Sequence, residues 1–177
     1  RMGTTALVAQ AFGADDRNQL EAAVLRALLL GGVIGFGIVL LRNPIAHLAF
    51  GLTDGSQGVE NAAQTYFLIS IWGAPLFLAQ LAVLGMLLGT QDTRSLLLVQ
   101  LLLNGTNIGL DLLFVVHFGW GVAGVAAATV IAEAVAFAAG MAIIWRRLPG
   151  LTRQFGQLFE RAAMRRMFSM NFNIMIH

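Results

Sequence analysis

The sequence predicts an all-α, polytopic membrane bundle, and three observations carry that prediction. Hydrophobic residues make up 58% of the 177 positions against 11% charged. Apolar runs of about twenty residues, the length a membrane helix needs, recur along the chain. The polar residues inside those runs keep helical spacing instead of scattering. A water-soluble core of this size is a poor explanation of such a composition. Cysteine is absent, which removes disulfide frameworks, thiolate catalysis and the common cysteine zinc sites. All eleven basic residues are Arg, so their placement matters more than the net charge.

In order along the chain, RMGTTALVAQAF is apolar but too short to span, so 1–13 reads as the end of a helix cut by the start of the sequence. GADDRNQ is a charged break whose Asp15 and Asp16 suit the N-terminus of the next helix. The first full span is predicted at about 22–41. Its Arg26 lies close enough to the end to snorkel, and Gly31, Gly32, Gly35 and Gly37 permit close helix packing. A connection occupies 42–58, with Pro44, an interfacial turn at IAHLAFGL and the turn-rich TDGSQG. The span at about 61–89 carries no charge. It sets Tyr66, Ser70, Gly73 and Gln80 on one side, and Pro75 should kink it.

Gln91–Arg94 is a tight turn, so its flanking spans are antiparallel neighbours. The span at about 95–116, SLLLVQLLLNGTNIGLDLLFVV, carries Gln100, Asn104, Asn107 and Asp111 within an arc of roughly 60°. Either that stripe faces a wet cavity, or its amides bond only to neighbouring helices. After a turn at His117–Gly121, the fourth span, about 122–145, is rich in small residues and puts Thr129 and Glu133 on one face. Residues 146–166 form a basic linker with six Arg, and 167–177 starts a further helix.

Arg17, Arg94 and the arginines after Trp145 alternate onto one side, which the positive-inside rule places in the cytoplasm. Asp111, Thr129 and Tyr66 then share the outer half of the membrane on three different helices. Polar groups are costly there, so a shared level points to a site. His47, His117 and His177 lie apart and no HExxH or GxSxG occurs, so the chain is not read as an enzyme. The lack of a glycine-rich phosphate loop argues against an ATP-driven pump. Nothing beyond basic loops suggests nucleic acid.

The strings RMGTTALVAQAFGA, GAPLFLAQLAVLGMLLGTQDTR, NGTNIGLDLLFVV and GVAGVAAATVIAE, in that order, resemble the multidrug and toxic compound extrusion (MATE) family, in its DinF-like bacterial branch. The resemblance implies twelve helices in two six-helix bundles. This chain would supply part of the N-terminal lobe, from the end of helix two through helices three to six to the start of helix seven. It further implies a multi-pass protein of the bacterial inner membrane that exports small drug-like compounds against inward flow of protons or sodium ions, with no cofactor. Matching the family's motifs places the coupling cation on Asp111, Asn107, Thr129 and Tyr66, with sodium possible at Asp111.

Gln80, Gln100, Asn104 and Glu133 are candidates for the substrate path, Glu133 being either a second titrating group or a structural acid. The family's first helix and C-terminal bundle are absent from the sequence, so the piece alone is not expected to transport. In the DinF-like branch a Glu and an Arg often stand where this sequence has Leu68 and Ser70. The tail NFNIMIH lacks the seventh-helix charges at Phe172, Asn173 and His177. A related lipid-linked sugar flippase is the alternative, although it should carry a more cationic cavity than Arg26 alone supplies. A membrane fragment that transports nothing is the other.

Overall fold

The computed structural model describes residues 2–51 and 56–151. The predicted turn residues Thr53, Asp54 and Gly55, most of the basic linker and the final helix start lie outside them. The described residues form seven α-helices: α1 (Met2–Gly13), α2 (Arg17–Leu40), α3 (Arg42–Gly51), α4 (Gln57–Ser70), α5 (Ala74–Gly89), α6 (Thr93–Asp111) and α7 (Gly121–Arg147). A 3₁₀ turn, Ile71–Gly73, joins α4 to α5, and a π-helical segment, Leu112–His117, continues α6. Four stretches are long and apolar enough to cross a membrane: Arg17–Leu40, Gln57–Gly89, Thr93–His117 and Gly121–Arg147.

Helix ends depart from the predicted ranges for local reasons. The turns before α2 and before α6 use the same device. Asp15 and Gln91 take left-handed φ values of 52° and 56°. The next amide in each case, Asp16 or Asp92, donates back to Ala11 O or Leu87 O, closing the preceding helix in a Schellman turn. Each of those aspartates then caps the next helix: Asp16 accepts from Gln19 N at 3.0 Å and Asp92 from Ser95 N at 3.2 Å. A carboxylate that satisfies an orphan amide fixes where the helix starts. Accordingly α2 begins at Arg17, ahead of the predicted 22, and α6 at Thr93, ahead of 95. The stretch read as an interfacial turn is the ten-residue helix α3.

Pro75 changes the helix geometry slightly upstream of itself. It has no N–H to offer Ile71 O, and Ala74 N takes that carbonyl instead, tightening the backbone to 3₁₀ geometry. Four glycines shape the crossings of α5 with α2 and α1. A Cβ at Gly31 or Gly35 of α2 would collide with the α5 backbone at Leu78 or Pro75. Gly89 and Gly85 of α5 do the same job toward α1, at Val8 and the two threonines Thr4 and Thr5. Both pairs are spaced by four, so one helix face loses its side chains and the partner backbone moves in. Gly32 and Gly37 have open space around them instead.

The buried apolar core, including Val8, Val24, Leu25, Val83, Met86, Leu87, Val99 and Ile144, gathers near the end of the bundle where Arg17, Arg94 and Arg147 lie. Arg26, expected to snorkel, keeps its Nε buried with no hydrogen-bond partner.

Candidate cation-binding site

Asn107 and Thr129 meet across the α6–α7 interface. Asn107 Nδ2 donates to Thr129 Oγ1 at 3.3 Å, and Thr129 Oγ1 donates to Val125 O at 3.0 Å. The threonine therefore holds the amide nitrogen in place, while Asn107 Oδ1 makes no hydrogen bond within the described residues. One turn further along α6, Asp111 is half-buried, and its Oδ1 is buried without a partner. It stands about 27 Å from the N-terminal end of α6 at 1.5 Å per residue. Two neutral oxygens and a carboxylate thus lie within about one helical turn on two packed helices, which is chemistry suited to a proton or a hard cation.

The backbone changes pitch immediately after this acid. From Leu112 to His117 the helix widens to π geometry, with Phe118 N reaching back to Leu113 O. Segments of that kind occur often at functional sites. Nothing in the spacing of SLLLVQ…FVV announces it. Phe114, inside this segment, stacks on Phe118 and Trp120 beyond it, with the three centroids 5.0–6.2 Å apart, an aromatic cluster of the kind found at a membrane boundary.

The other predicted residues take several different environments. Tyr66 lies on α4, which packs on α7, but its side chain is 41% exposed and no hydrogen bond joins it to Asn107, Thr129 or Asp111. Gln80 is 4% exposed inside the bundle with both amide atoms unpartnered. Gln100 is half-buried with its Oε1 likewise unpartnered, and Asn104 is exposed on α6. Glu133, half-buried on α7, sets its carboxylate against Gly73 of the 3₁₀ turn. None of these residues lines a half-open apolar cavity of about 620 Å³ between α2, α5 and α7, bounded among others by Leu25, Leu29, Pro75, Ala79, Phe137 and Met141.

A family model described as MatE matches residues 1–113. The chain belongs to the MatE family. DNA damage-inducible protein F of Escherichia coli (strain K12) is 36% identical over 99% of this chain and 39% of that protein. The probable multidrug resistance protein NorM of Thermotoga maritima is 28% identical over 82% of this chain and 32% of that protein. Among solved structures, a MATE in complex with MaL6 matches 81% of this chain and 31% of its own at 26% identity, with a TM-score of 0.73. Inward-facing and outward-facing forms of a multidrug resistance MATE family transporter match 81% of this chain with TM-scores of 0.69 and 0.71, at 26% and 27% identity, and cover 32% and 31% of those chains. The chain spans about two fifths or less of these relatives. Its family is one of membrane transporters, not enzymes, which agrees with the four spanning stretches.

Proposed function

We propose that this MatE chain forms the cation-handling part of the N-terminal lobe of a secondary antiporter. That antiporter sits in the bacterial inner membrane and exports drug-like organic compounds against protons or sodium ions. The observation that carries the reading is the buried, unpartnered Asp111 Oδ1 one turn from the Asn107–Thr129 pair. An uncompensated carboxylate at membrane depth is expensive, and a proton or a cation relieves that cost. Asn107 Oδ1 and the remaining lone pair of Thr129 Oγ1 lie on the same face to share a cation or to accept from a protonated acid. Tyr66 supplies a further oxygen if α4 rotates its exposed side chain toward α7.

Binding at Asp111 couples to export only if two conformations of the transporter hold the cation with different affinity. The near-equal match to inward-facing and outward-facing relatives supports a lobe that keeps its internal packing while the transporter alternates. The arginine-rich end faces the cytoplasm in this reading, so Asp111 opens to the outer half of the membrane. Gln80, Gln100, Asn104 and Glu133 remain candidates for the substrate path.

The test is Asp111→Asn in the full-length protein. Coupled efflux should fall to background while the amount of folded protein in the membrane stays at the wild-type level. Unchanged drug efflux in that variant would remove Asp111 from the mechanism.

A further inference from the structure

Glu133 has no role in the site around Asp111, yet its position is specific. It lies on α7 one turn inward of Thr129, and its Oε2 stands only 2.6 Å from where a Cβ of Gly73 would be, with Val130 Cγ2 at 3.2 Å from the same point. The carboxylate therefore fills the space that the missing side chain of Gly73 leaves, directly against the one interruption of the long Gln57–Gly89 stretch. Three residues before Gly73, the Ser70 hydroxyl is buried with no hydrogen-bond partner.

No hydrogen bond or ion pair reaches Glu133 within the described residues. The elements packed on α7 carry few charges: Glu60 and Tyr66 on α4, Arg94 and Asp111 on α6, His117 on the π segment, and none on α5 or the 3₁₀ turn. Arg146 and Arg147 of α7 itself lie more than three turns away. A carboxylate at this depth with no cation beside it has to be neutralised or hydrated.

We propose that Glu133 is a second proton-binding site, separate from Asp111, whose charge state sets the bend between α4 and α5 at Gly73. Ionised, the carboxylate draws water into the break and holds α4 away from α7. Protonated, it gains an O–H donor and can close on the break, where the Ser70 hydroxyl lacks a partner. Because carboxylate and backbone are already in contact, a change in one displaces the other. Gly73 is required for this, since any side chain there occupies the carboxylate's place.

The experiment uses the full-length protein in lipid nanodiscs, in a cysteine-free background. Spin labels at Asn61→Cys and Thr93→Cys report the distance across the break at acid and alkaline pH, and infrared difference spectra report protonated carboxyl groups. The wild type and Asp111→Asn should both show a pH-dependent distance. Glu133→Gln should lose one carboxyl band and hold the acid-form distance at every pH, and Glu133→Asp, which retracts the carboxyl by a methylene, should reduce the change. A pH-dependent distance that persists in Glu133→Gln, or its absence from the wild type, overturns the proposal. Loss of the change in Asp111→Asn with retention in Glu133→Gln overturns it too, and assigns the titration to Asp111.

Discussion

At the end of the bundle that carries Arg17, Arg94 and Arg147, the acids Asp16, Glu21 and Asp92 all accept hydrogen bonds, and the buried aliphatic core packs beneath them, with Arg26 Nε and Gln100 Oε1 as unpartnered buried atoms beside it. At the opposite end, Asp111 and Ser70 keep buried oxygens with no partner, and α6 is covered chiefly by α7. Burial with satisfied polar groups stabilises a fold, whereas burial without them stores free energy that a proton, a cation or another polar partner can release. The first end holds the helices together and the second leaves them something to bind.

The difference can be attacked first where helices approach most closely. A Cβ at Gly35 would fall 2.3 Å from Pro75 Cα, backbone against backbone. Gly35→Ala should therefore cost about 3 kcal/mol or more by overpacking, read as a lower denaturation midpoint in detergent micelles. Gly32→Ala, with open space around it, is the matched control and should change little. A smaller drop for Gly35 than for Gly32 would show that the two helices are not locked there.

Glu21 comes next. It is 6% exposed, and its Oε1 accepts from Gly150 N at 3.1 Å, which ties the start of α2 to the residues after α7. Removing that bond by Glu21→Ala should cost about 1.5–3 kcal/mol, the range for a hydrogen bond to a charged group. The loss should appear in unfolding at this end without altering cation binding at the other.

The Asp92–Arg147 ion pair, backed by Arg147 Nη2 donating to Ser95 Oγ at 3.4 Å, is weaker because Arg147 is half exposed. Arg147→Ala should cost no more than about 1 kcal/mol. Burial works against ionisation of Asp92, but the Ser95 hydrogen bonds and the Arg147 charge outweigh it and hold its carboxyl below the ordinary value of 3.8. Its contribution is thus fully present above the ordinary carboxylate range and is lost as pH falls through the lowered folded value. A stability profile of Asp92→Asn against the wild type should converge only in strong acid. The smallest effect belongs to the open end: a double-mutant cycle of Asn107→Ala with Thr129→Val should give a coupling of about 0.6 kcal/mol, typical of hydrogen bonds between membrane helices. A coupling above about 2 kcal/mol would make that pair structural.

Much of this contrast is legible in the sequence, and the parts that are not have identifiable causes. The polar stripe from Gln100 to Asp111 and the Thr129–Glu133 face come from helical spacing alone. Glu21 gives no signal because its partner is a backbone amide 129 positions away, and a backbone donor leaves no trace in a sequence. The paired closing turns at Asp15 and Gln91 are hidden because a left-handed residue there is neither glycine nor asparagine, the usual signals. Gly85 and Gly89 on α5 show their spacing of four, but nothing local says that α1 is the helix they admit.

By itself, the sequence determined the all-α membrane class, the order of the spans, the proline-induced break and the polar stripe of α6, because hydropathy and a 3.6-residue period act locally along the chain. Tertiary structure alone decided which of those residues meet. It joined Asn107 to Thr129, left Tyr66 apart, sealed Gln80 inside the bundle and pressed Glu133 into the gap at Gly73. Those outcomes depend on which glycine faces let two backbones approach and on how far a 3₁₀ or π turn rotates the helix beyond it, and both are set by packing between helices.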